Sequence, residues 1–317
     1  MAGPGEFELI QEYFLSQFSG SDPAAGVELG IGDDCALLIP PPGKMLATSV
    51  DTLVAGVHFP ADADPYRIAS RALRVNLSDL AAMNAEPLWF TLALTLPQSD
   101  AAWLDSFARG LVDTARQFNI TLVGGDTTKG PLSITIQVTG ATGQPLRRSG
   151  AGEGDLVYVS HSLGAAAAAL PLILGETAGS SEQQQQADAA YYFPEPQFEL
   201  VRQMGVFASA ALDISDGLLA DLGHICSASQ LGAEIDLGQL PIAALAQAAG
   251  TERALQLAAA GGDDYQLCFT VPERHQAALA QLQLPITAIG KMTADNGVRC
   301  TYGGQPWLPQ QTGYQHF

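Results

Sequence analysis

The sequence predicts a two-domain α/β protein (α+β in the arrangement of its elements), and three observations predict it. Its 317 residues suffice for two domains of ordinary size, each with its own core. Hydrophobic residues make up 47% of the chain and charged residues 15%, the balance of a folded protein rather than a disordered one. Along the chain, apolar runs with strand character alternate with helical periodicities, and no internal repeat is visible. The best boundary by composition is Gln144 to Asp155, which carries Pro145, Gly150, Gly152 and Gly154. The expected division is a first domain over residues 1–145 and a second over residues 146–317.

In the first domain, Glu6 to Phe18 reads as an amphipathic helix with Phe7, Ile10 and Phe14 on one side, and Ser19 to Gly26 as loop. Strands are expected at about Cys35–Ile39 and Met45–Val50, the second ending at Asp51. Asp64-Pro65 supplies an N-cap and a proline at the first helical position, opening a helix to about Met83. Its Ile68, Ala72, Val75 and Leu80 face a core, while Asn76 and Asp79, one turn apart, can point together into a site. Pro87–Leu96 is an apolar strand and Asp100–Phe118 a helix. Ile120–Val123 is a strand delivering Gly124-Gly125-Asp126, and Leu132–Thr142 an alternating, half-buried strand. No parallel-sheet dinucleotide fingerprint appears.

The second domain opens with strand Leu156–Ser160 and an alanine-rich helix, Leu163–Leu174. Ser180 to Ala190, with four glutamines, reads as a low-complexity surface insert. Helix Pro196–Met204, strand Ala210–Ile214 and helix Leu218–Ser229 follow; the start of the last, at Asp216-Gly217, offers N–H groups suited to an anion. Strand Glu234–Leu237, helices Ile242–Ala249 and Glu252–Ala260, strand Tyr265–Val271, helix Glu273–Leu282 and strand Thr287–Met292 complete an α/β domain.

A formal net charge of −19 argues against nonspecific nucleic-acid binding, which Lys and Arg drive. Divalent cations still let an acidic protein take anionic nucleotides. Cys35, Cys226, Cys268 and Cys300 are scattered without a C-x-x-C pair and read as buried free thiols in a reducing compartment. The first basic residue is Lys44, the wrong chemistry for a signal or transit peptide. The longest uncharged apolar run, Leu163 to Gly175, contains Pro171 and falls short of the roughly 20 residues a membrane helix needs. A soluble, cytoplasmic protein without membrane or nucleic-acid partners is expected.

The chemistry concentrates in carboxylates. Leu29-Gly-Ile-Gly-Asp-Asp-Cys-Ala36 places Asp33 and Asp34 side by side after a glycine turn. Such a pair is either a solvated turn or a costly one that needs a positive charge between its members. It is not isolated. Asp51 sits in Ser49-Val50-Asp51-Thr52, Asp79 in Asn76-Leu-Ser-Asp79, Asp126 in Gly124-Gly125-Asp126-Thr-Thr128, Asp213 and Asp216 in Asp213-Ile-Ser215-Asp216-Gly217, and Asp263-Asp264 after Gly261-Gly262. Carboxylate and hydroxyl oxygens suit hard cations such as Mg²⁺, which also bridge substrate phosphates. The set points to a metal–phosphate centre. Arg147 and Arg148 stand out among only 14 Lys and Arg residues, as a surface ion pair or a phosphate contact. His58 by itself is an ordinary surface histidine.

Taken in order, Gly30-Ile-Gly-Asp-Asp-Cys-Ala36, Ser49-Val-Asp-Thr-Leu-Val-Ala-Gly-Val-His-Phe59, Asn76-Leu-Ser-Asp-Leu-Ala-Ala-Met83, Gly124-Gly-Asp-Thr-Thr128, Asp213-Ile-Ser-Asp-Gly-Leu218 and Gly261-Gly-Asp-Asp-Tyr265 resemble the thiamine-monophosphate kinase family. That family lies within the aminoimidazole-ribonucleotide-synthetase-like superfamily. The resemblance implies an N-terminal mixed sheet with helices that binds ATP and Mg²⁺ and dimerises, and a C-terminal α/β domain. It implies a homodimer that takes ATP and thiamine monophosphate to ADP and thiamine diphosphate with several Mg²⁺ ions. It also implies residue roles. Asp34, Ser49, Val50, Asp51, Asp79, Asp126, Asp213 and Asp216 match Mg²⁺ ligands, with Asp51, Asp79 and Asp126 at the catalytic centre. Gly125, Asp126, Arg148 and Ser215 match ATP contacts, and His58, Asp263 and Tyr314 match contacts to the thiamine substrate. Val50 stands where the family commonly has Thr, Asp263 where Glu is usual, and Gln311 where an aromatic is expected. Sister enzymes such as cyclo-ligases, selenophosphate synthetases and hydrogenase-maturation proteins share ATP and Mg²⁺. The latter two rely on cysteines near the N- or C-terminus, whereas Cys35 heads an expected buried strand and the chain ends Gln315-His316-Phe317. A nucleotide or cation sensor is the non-catalytic alternative.

Overall fold

A computed structural model describes Tyr13, Phe14, Gln17, Phe18, residues 22–311, Gly313 and Tyr314. Most of the helix expected over Glu6–Phe18 falls outside the described residues. The described residues form two compact units: those up to Leu80 with Ala85–Gly143, and Ala81–Asn84 with Gln144 onward.

In the first unit, β1 (Val27–Leu29) and β2 (Leu37–Leu38) form a small antiparallel pair. The strand expected over Cys35–Ile39 shrinks to two residues because Leu37 and Ile39 find no core and are largely exposed. Cys35 is exposed as well, so only Cys226, Cys268 and Cys300 are the buried thiols expected. Then come β3 (Met45–Val54), α1 (Pro65–Ala82), β4 (Glu86–Leu96), α2 (Ala101–Gln117), β5 (Thr121–Lys129) and β6 (Ser133–Thr142). Asp64 Oδ1 accepts from Arg67 N at 3.1 Å, and Asp100 Oδ1 from Ala102 N and Trp103 N at 2.9 and 3.1 Å. Each side chain satisfies backbone donors that a helix start leaves unpaired, for about 1 kcal/mol.

The four strands pair in the order β3-β6-β4-β5, antiparallel except for parallel β4 and β5. Alternation gives the sheet two unlike faces. One holds Leu53, Leu92, Leu94, Ile134, Ile136 and Val138 in a core with Ile68, Leu73, Leu104, Phe107 and Leu111 of the helices. The other holds Thr48, Val50, Thr52, Ala93 and Gln137, all exposed. Asp51 lies inside β3 and Gly124-Gly125-Asp126 inside β5, because both strands keep pairing beyond the ends the sequence suggests.

The second unit comprises β7 (Leu156–Ser160), α3 (Ala165–Ile173), α4 (Ser181–Tyr192), α5 (Phe198–Met204), β8 (Ala210–Ile214), α6 (Leu218–Ser229) and β9 (Gly232–Asp236). It continues with α7 (Ala244–Gln247), α8 (Thr251–Ala260), β10 (Gln266–Val271), α9 (Glu273–Ala280), β11 (Ile286–Thr293), β12 (Gly297–Tyr302) and β13 (Gln305–Trp307). Seven strands pair in the order β13-β12-β9-β11-β7-β10-β8, antiparallel apart from β9 and β12. Leu218, Leu222 and Ile225 of α6 with Leu255 and Ala258 of α8 build a core on one face. Leu200, Val201 and Met204 of α5 pack with Leu267, Phe269 and Val271 on the other. The glutamine-rich stretch is α4, a packed helix rather than a surface insert. Ser180 and Gln183 form its capping box, and Ala187, Tyr191 and Tyr192 are buried. Among the described residues, no helix is long and apolar enough to cross a membrane.

Candidate active site

β3 is an edge strand, and one turn of α1 lies against its free side. Ser49 Oγ donates to Asp79 Oδ2 at 2.5 Å, and Asp51 N donates to Asn76 Oδ1 at 3.0 Å. Asn76, fully buried, is fixed by its own Nδ2, which donates to Ala72 O at 2.8 Å. Two residues one turn apart on the helix thus meet two alternate residues on the strand. Burial, and then the Asp79 carboxylate beside it, push the Asp51 carboxyl up to about 6. Further along, Val54 N donates to His58 Nδ1 at 3.0 Å, so His58 folds back onto the end of β3.

Val50 and Asp126 lie on the other face. Across the sheet Asp51 pairs with Ile136, Ile136 with Leu92, and Leu92 with Gly125, which places these four on the helix-covered side. Thr52, Thr135, Ala93 and Asp126 form the next row, on the open side. Thr52 Oγ1 and Thr135 Oγ1 confirm that row by a 2.8 Å hydrogen bond. Three inter-strand steps separate β3 from β5, about 14 Å. Within one unit, therefore, Asp126 does not join Asp51 and Asp79. Gly125 has a reason of its own, since a Cβ there would sit 1.9 Å from Leu92 O. Asp34 is exposed in the turn before β2, its N donating to Asp33 Oδ1 at 2.8 Å.

The second unit gathers another set around the loop between β8 and α6. Asp213 is buried at the end of β8. Asp221, in the first turn of α6, accepts through Oδ2 from the backbone N of Ser215, Asp216 and Gly217, each at 3.0 Å. The amides expected to await an outside anion thus already hold an internal one. Burial pushes the Asp221 carboxyl up to about 6 despite these donors. Gly217 has φ +125°, a conformation suited to glycine, and a Cβ there would meet Ala260 O at 2.8 Å. The loop's outer side is held too: Asp263 N donates to Ser215 O at 2.8 Å, and Tyr314 N to Asp216 O at 3.0 Å. Asp263 is partly exposed and accepts from Tyr265 Oη at 3.1 Å. Arg148 lies elsewhere in this unit. Its carbonyl accepts from Ser229 Oγ at 3.1 Å, at the far end of α6, about 18 Å along the helix from Gly217.

Sequence reasoning missed Asp221. Its signal was an acid in the first turn of an otherwise apolar helix, one position beyond the usual capping-box acid.

Among the described residues no three His, Cys, Asp or Glu converge as a closed metal cage. The Ser49, Asp51 and Asp79 group is an open set instead: one hydroxyl and two carboxylates, all oxygen, with one acid disfavoured by the other. Mg²⁺ commonly sits in such a set, taking one or two carboxylates and filling its remaining positions with phosphate oxygens and water. The residues fit the ion.

Two family models match the chain: AIR synthase related protein, N-terminal domain, over residues 32–142, and its C-terminal domain over residues 152–303. With the mixed four-stranded and seven-stranded sheets, they define a two-domain protein of the AIR synthase-like class. Thiamine-monophosphate kinase of Escherichia coli (strain K12) is 47% identical over 326 residues, covering 99% of this chain and 98% of that protein. The crystal structure of thiamine-monophosphate kinase from Stenotrophomonas maltophilia K279a superposes with a TM-score of 0.81 at 42% identity, over 89% of this chain and 92% of that one. AaThiL complexed with AMPPCP and TMP gives a TM-score of 0.79 at 30% identity, over 90% and 92%. The chain belongs to the thiamine-monophosphate kinase family, a family of enzymes.

Proposed function

We propose that this chain transfers the γ-phosphoryl group of ATP to thiamine monophosphate, as a Mg²⁺-dependent homodimer in the cytoplasm. The observation that carries the reading is the set of Ser49, Asp51 and Asp79 at the edge strand β3, an oxygen-only site where burial, and then the Asp79 carboxylate, push the Asp51 carboxyl up. A family member that binds AMPPCP and TMP supports the choice of substrates.

An oxygen of the substrate's own phosphate attacks the γ-phosphorus. The bond from that phosphorus to ADP breaks, and its electron pair leaves with ADP. The attacking oxygen is already anionic near neutral pH, so the chain needs no general base, and none of the central aspartates has a histidine beside it in sequence. Transfer is direct and in line, and the chain supplies position and charge balance. Asp51, Asp79 and Ser49 would hold Mg²⁺, and the family resemblance adds Asp34, Asp126, Asp213, Asp216 and the carbonyl of Val50 as further ligands. When bound, the metal offsets the negative charge of the two phosphates. Gly125, Asp126, Arg148 and Ser215 contact ATP, while His58, Asp263 and Tyr314 contact the thiamine substrate.

The homodimer reading draws on the open face of the first unit's sheet. Leu46 and Val50 are half or more exposed there among threonines, and a second copy's sheet would cover them. Asp126 stands on that same face and serves the partner's site.

ADP release from ATP, measured with and without thiamine monophosphate, tests the reaction. Release should require both the substrate and Mg²⁺. Asp79→Asn should cost on the order of 100-fold in kcat, as loss of one electrostatic stabiliser does, and His58→Ala should mainly raise KM for the thiamine substrate. Substrate-independent ATP hydrolysis, or full turnover after EDTA treatment and gel filtration, would sink the reading.

A further inference from the structure

We propose that Asn76 is a positioning residue for the reaction: its side-chain amide holds the Asp51 backbone against α1, and so keeps the Asp51 carboxylate beside Asp79 before and after an ion enters. This rests on the reading that Ser49, Asp51 and Asp79 hold Mg²⁺. The roles that the family resemblance implies do not include Asn76.

Asparagine is an unfavourable choice for this place. Asn76 lies inside α1 among Ala72, Leu73, Val75, Leu77 and Leu80, all buried, and is fully buried itself. A helix interior favours asparagine less than leucine, and an amide taken out of water costs free energy unless its polar atoms find partners. Both ends find one. Nδ2 donates to Ala72 O at 2.8 Å, one turn back in the same helix, which fixes the plane of the amide. Oδ1 is thereby turned outward to β3, where it accepts from Asp51 N at 3.0 Å. A leucine would fill the same space and hold nothing.

Asp51 N needs that acceptor. In an antiparallel pair every second residue turns its N–H and C=O away from the partner strand. Among the described residues β3 pairs with β6 alone, so the bond from Asp51 N lies on the free edge, where the sheet offers no carbonyl. Two neighbouring carboxylates repel one another, which works to part the strand from the helix. A bond between a neutral amide and a backbone N–H opposes that parting without depending on charge. The two contacts between β3 and α1 also differ in what an ion does to them. Ser49 Oγ and Asp79 Oδ2 bond each other, and both are oxygens an ion would take, so that contact is exchanged for metal bonds. The Asn76 contact uses an oxygen already engaged by a backbone N–H and stays in place.

The test compares the full chain with Asn76→Leu, which keeps the bulk and removes the acceptor; Asn76→Ala takes its place if that variant does not fold. Mn²⁺ is the probe ion, titrated in the presence of a non-hydrolysable ATP analogue and read by electron paramagnetic resonance. Mn²⁺ should bind about 10- to 100-fold more weakly, as loss of a group that orients a metal ligand commonly gives. Hydrogen exchange at the Asp51 amide should quicken, and kcat should fall about tenfold with KM for thiamine monophosphate within about twofold. Asn76→Asp keeps an oxygen for Asp51 N and should restore the slow exchange. Val112→Ala, a truncation in the α2 core, lowers the urea midpoint but should leave Mn²⁺ affinity within about twofold. Folded Asn76→Leu or Asn76→Ala chains that bind Mn²⁺ within about twofold of the unsubstituted chain overturn the proposal. A Val112→Ala chain as weak for Mn²⁺ as Asn76→Leu overturns it too, because lost stability would then account for the effect. An unsubstituted chain that binds no Mn²⁺ removes the metal reading, while quickened exchange at Asp51 confined to the Asn76 variants still assigns Asn76 its hold on that residue.

Discussion

Asp221 shapes the loop that presents Ser215 and Asp216, and it does so with one oxygen accepting three amides. Asp221→Ala should leave three loop amides, the buried one at Gly217 among them, without this partner and cost about 2 kcal/mol of stability in urea unfolding. Asp221→Asn keeps an acceptor oxygen and should recover much of that loss; equal losses in the two variants would show that the three hydrogen bonds are not what holds the loop. Asp264 gives the pH dependence. Burial raises its carboxyl from 3.8 to about 7. Between those values the folded chain keeps the proton and the unfolded chain releases it, so the stability this group contributes is complete below about pH 4 and lost by about pH 7. Urea midpoints at pH 5 and pH 8 should therefore differ less in Asp264→Asn than in the unsubstituted chain. An unchanged difference would exclude Asp264 as its source.

That Asn76 and Asp79 point together into a site was legible before any coordinates, because they stand one turn apart on an expected helix; that they meet Ser49 and Asp51 of β3 was not. Local spacing carries that kind of information. It does not carry where a strand stops pairing, and so Gly124-Gly125-Asp126 read as following a strand that ends at Val123 although they lie within β5. Gly125 is there because the backbones approach too closely for any side chain. Gly125→Ala should cost about 3 kcal/mol through overpacking against Leu92, read as a lower thermal midpoint; an unchanged midpoint would mean that β4 and β5 part easily. The β12–β13 pair was likewise hidden, since its partner β9 lies some 60 residues earlier and only long-range pairing defines it. The glutamine run misled for a different reason. Composition marked it as solvent-facing, whereas Ala187, Tyr191 and Tyr192 anchor one side of that helix.

At the scale of the whole molecule, the two-unit organisation and its α/β character follow from length and alternation, and the structure keeps both. The positions of Asp51 and Asp126 on opposite faces of one sheet were beyond reach, because face is fixed by register across four strands and the sequence shows each strand alone. That placement turns the proposed homodimer into a question that genetics can answer. If each site draws Asp79 from one copy and Asp126 from the other, two dead enzymes repair each other when mixed. Asp79→Asn and Asp126→Asn chains, unfolded together and refolded in equal amounts, would pair at random, and each mixed pair would hold one site with both acids intact. About a quarter of normal activity should return, as random two-fold pairing dictates. If each copy builds its site alone, every site in the mixture stays broken and nothing returns.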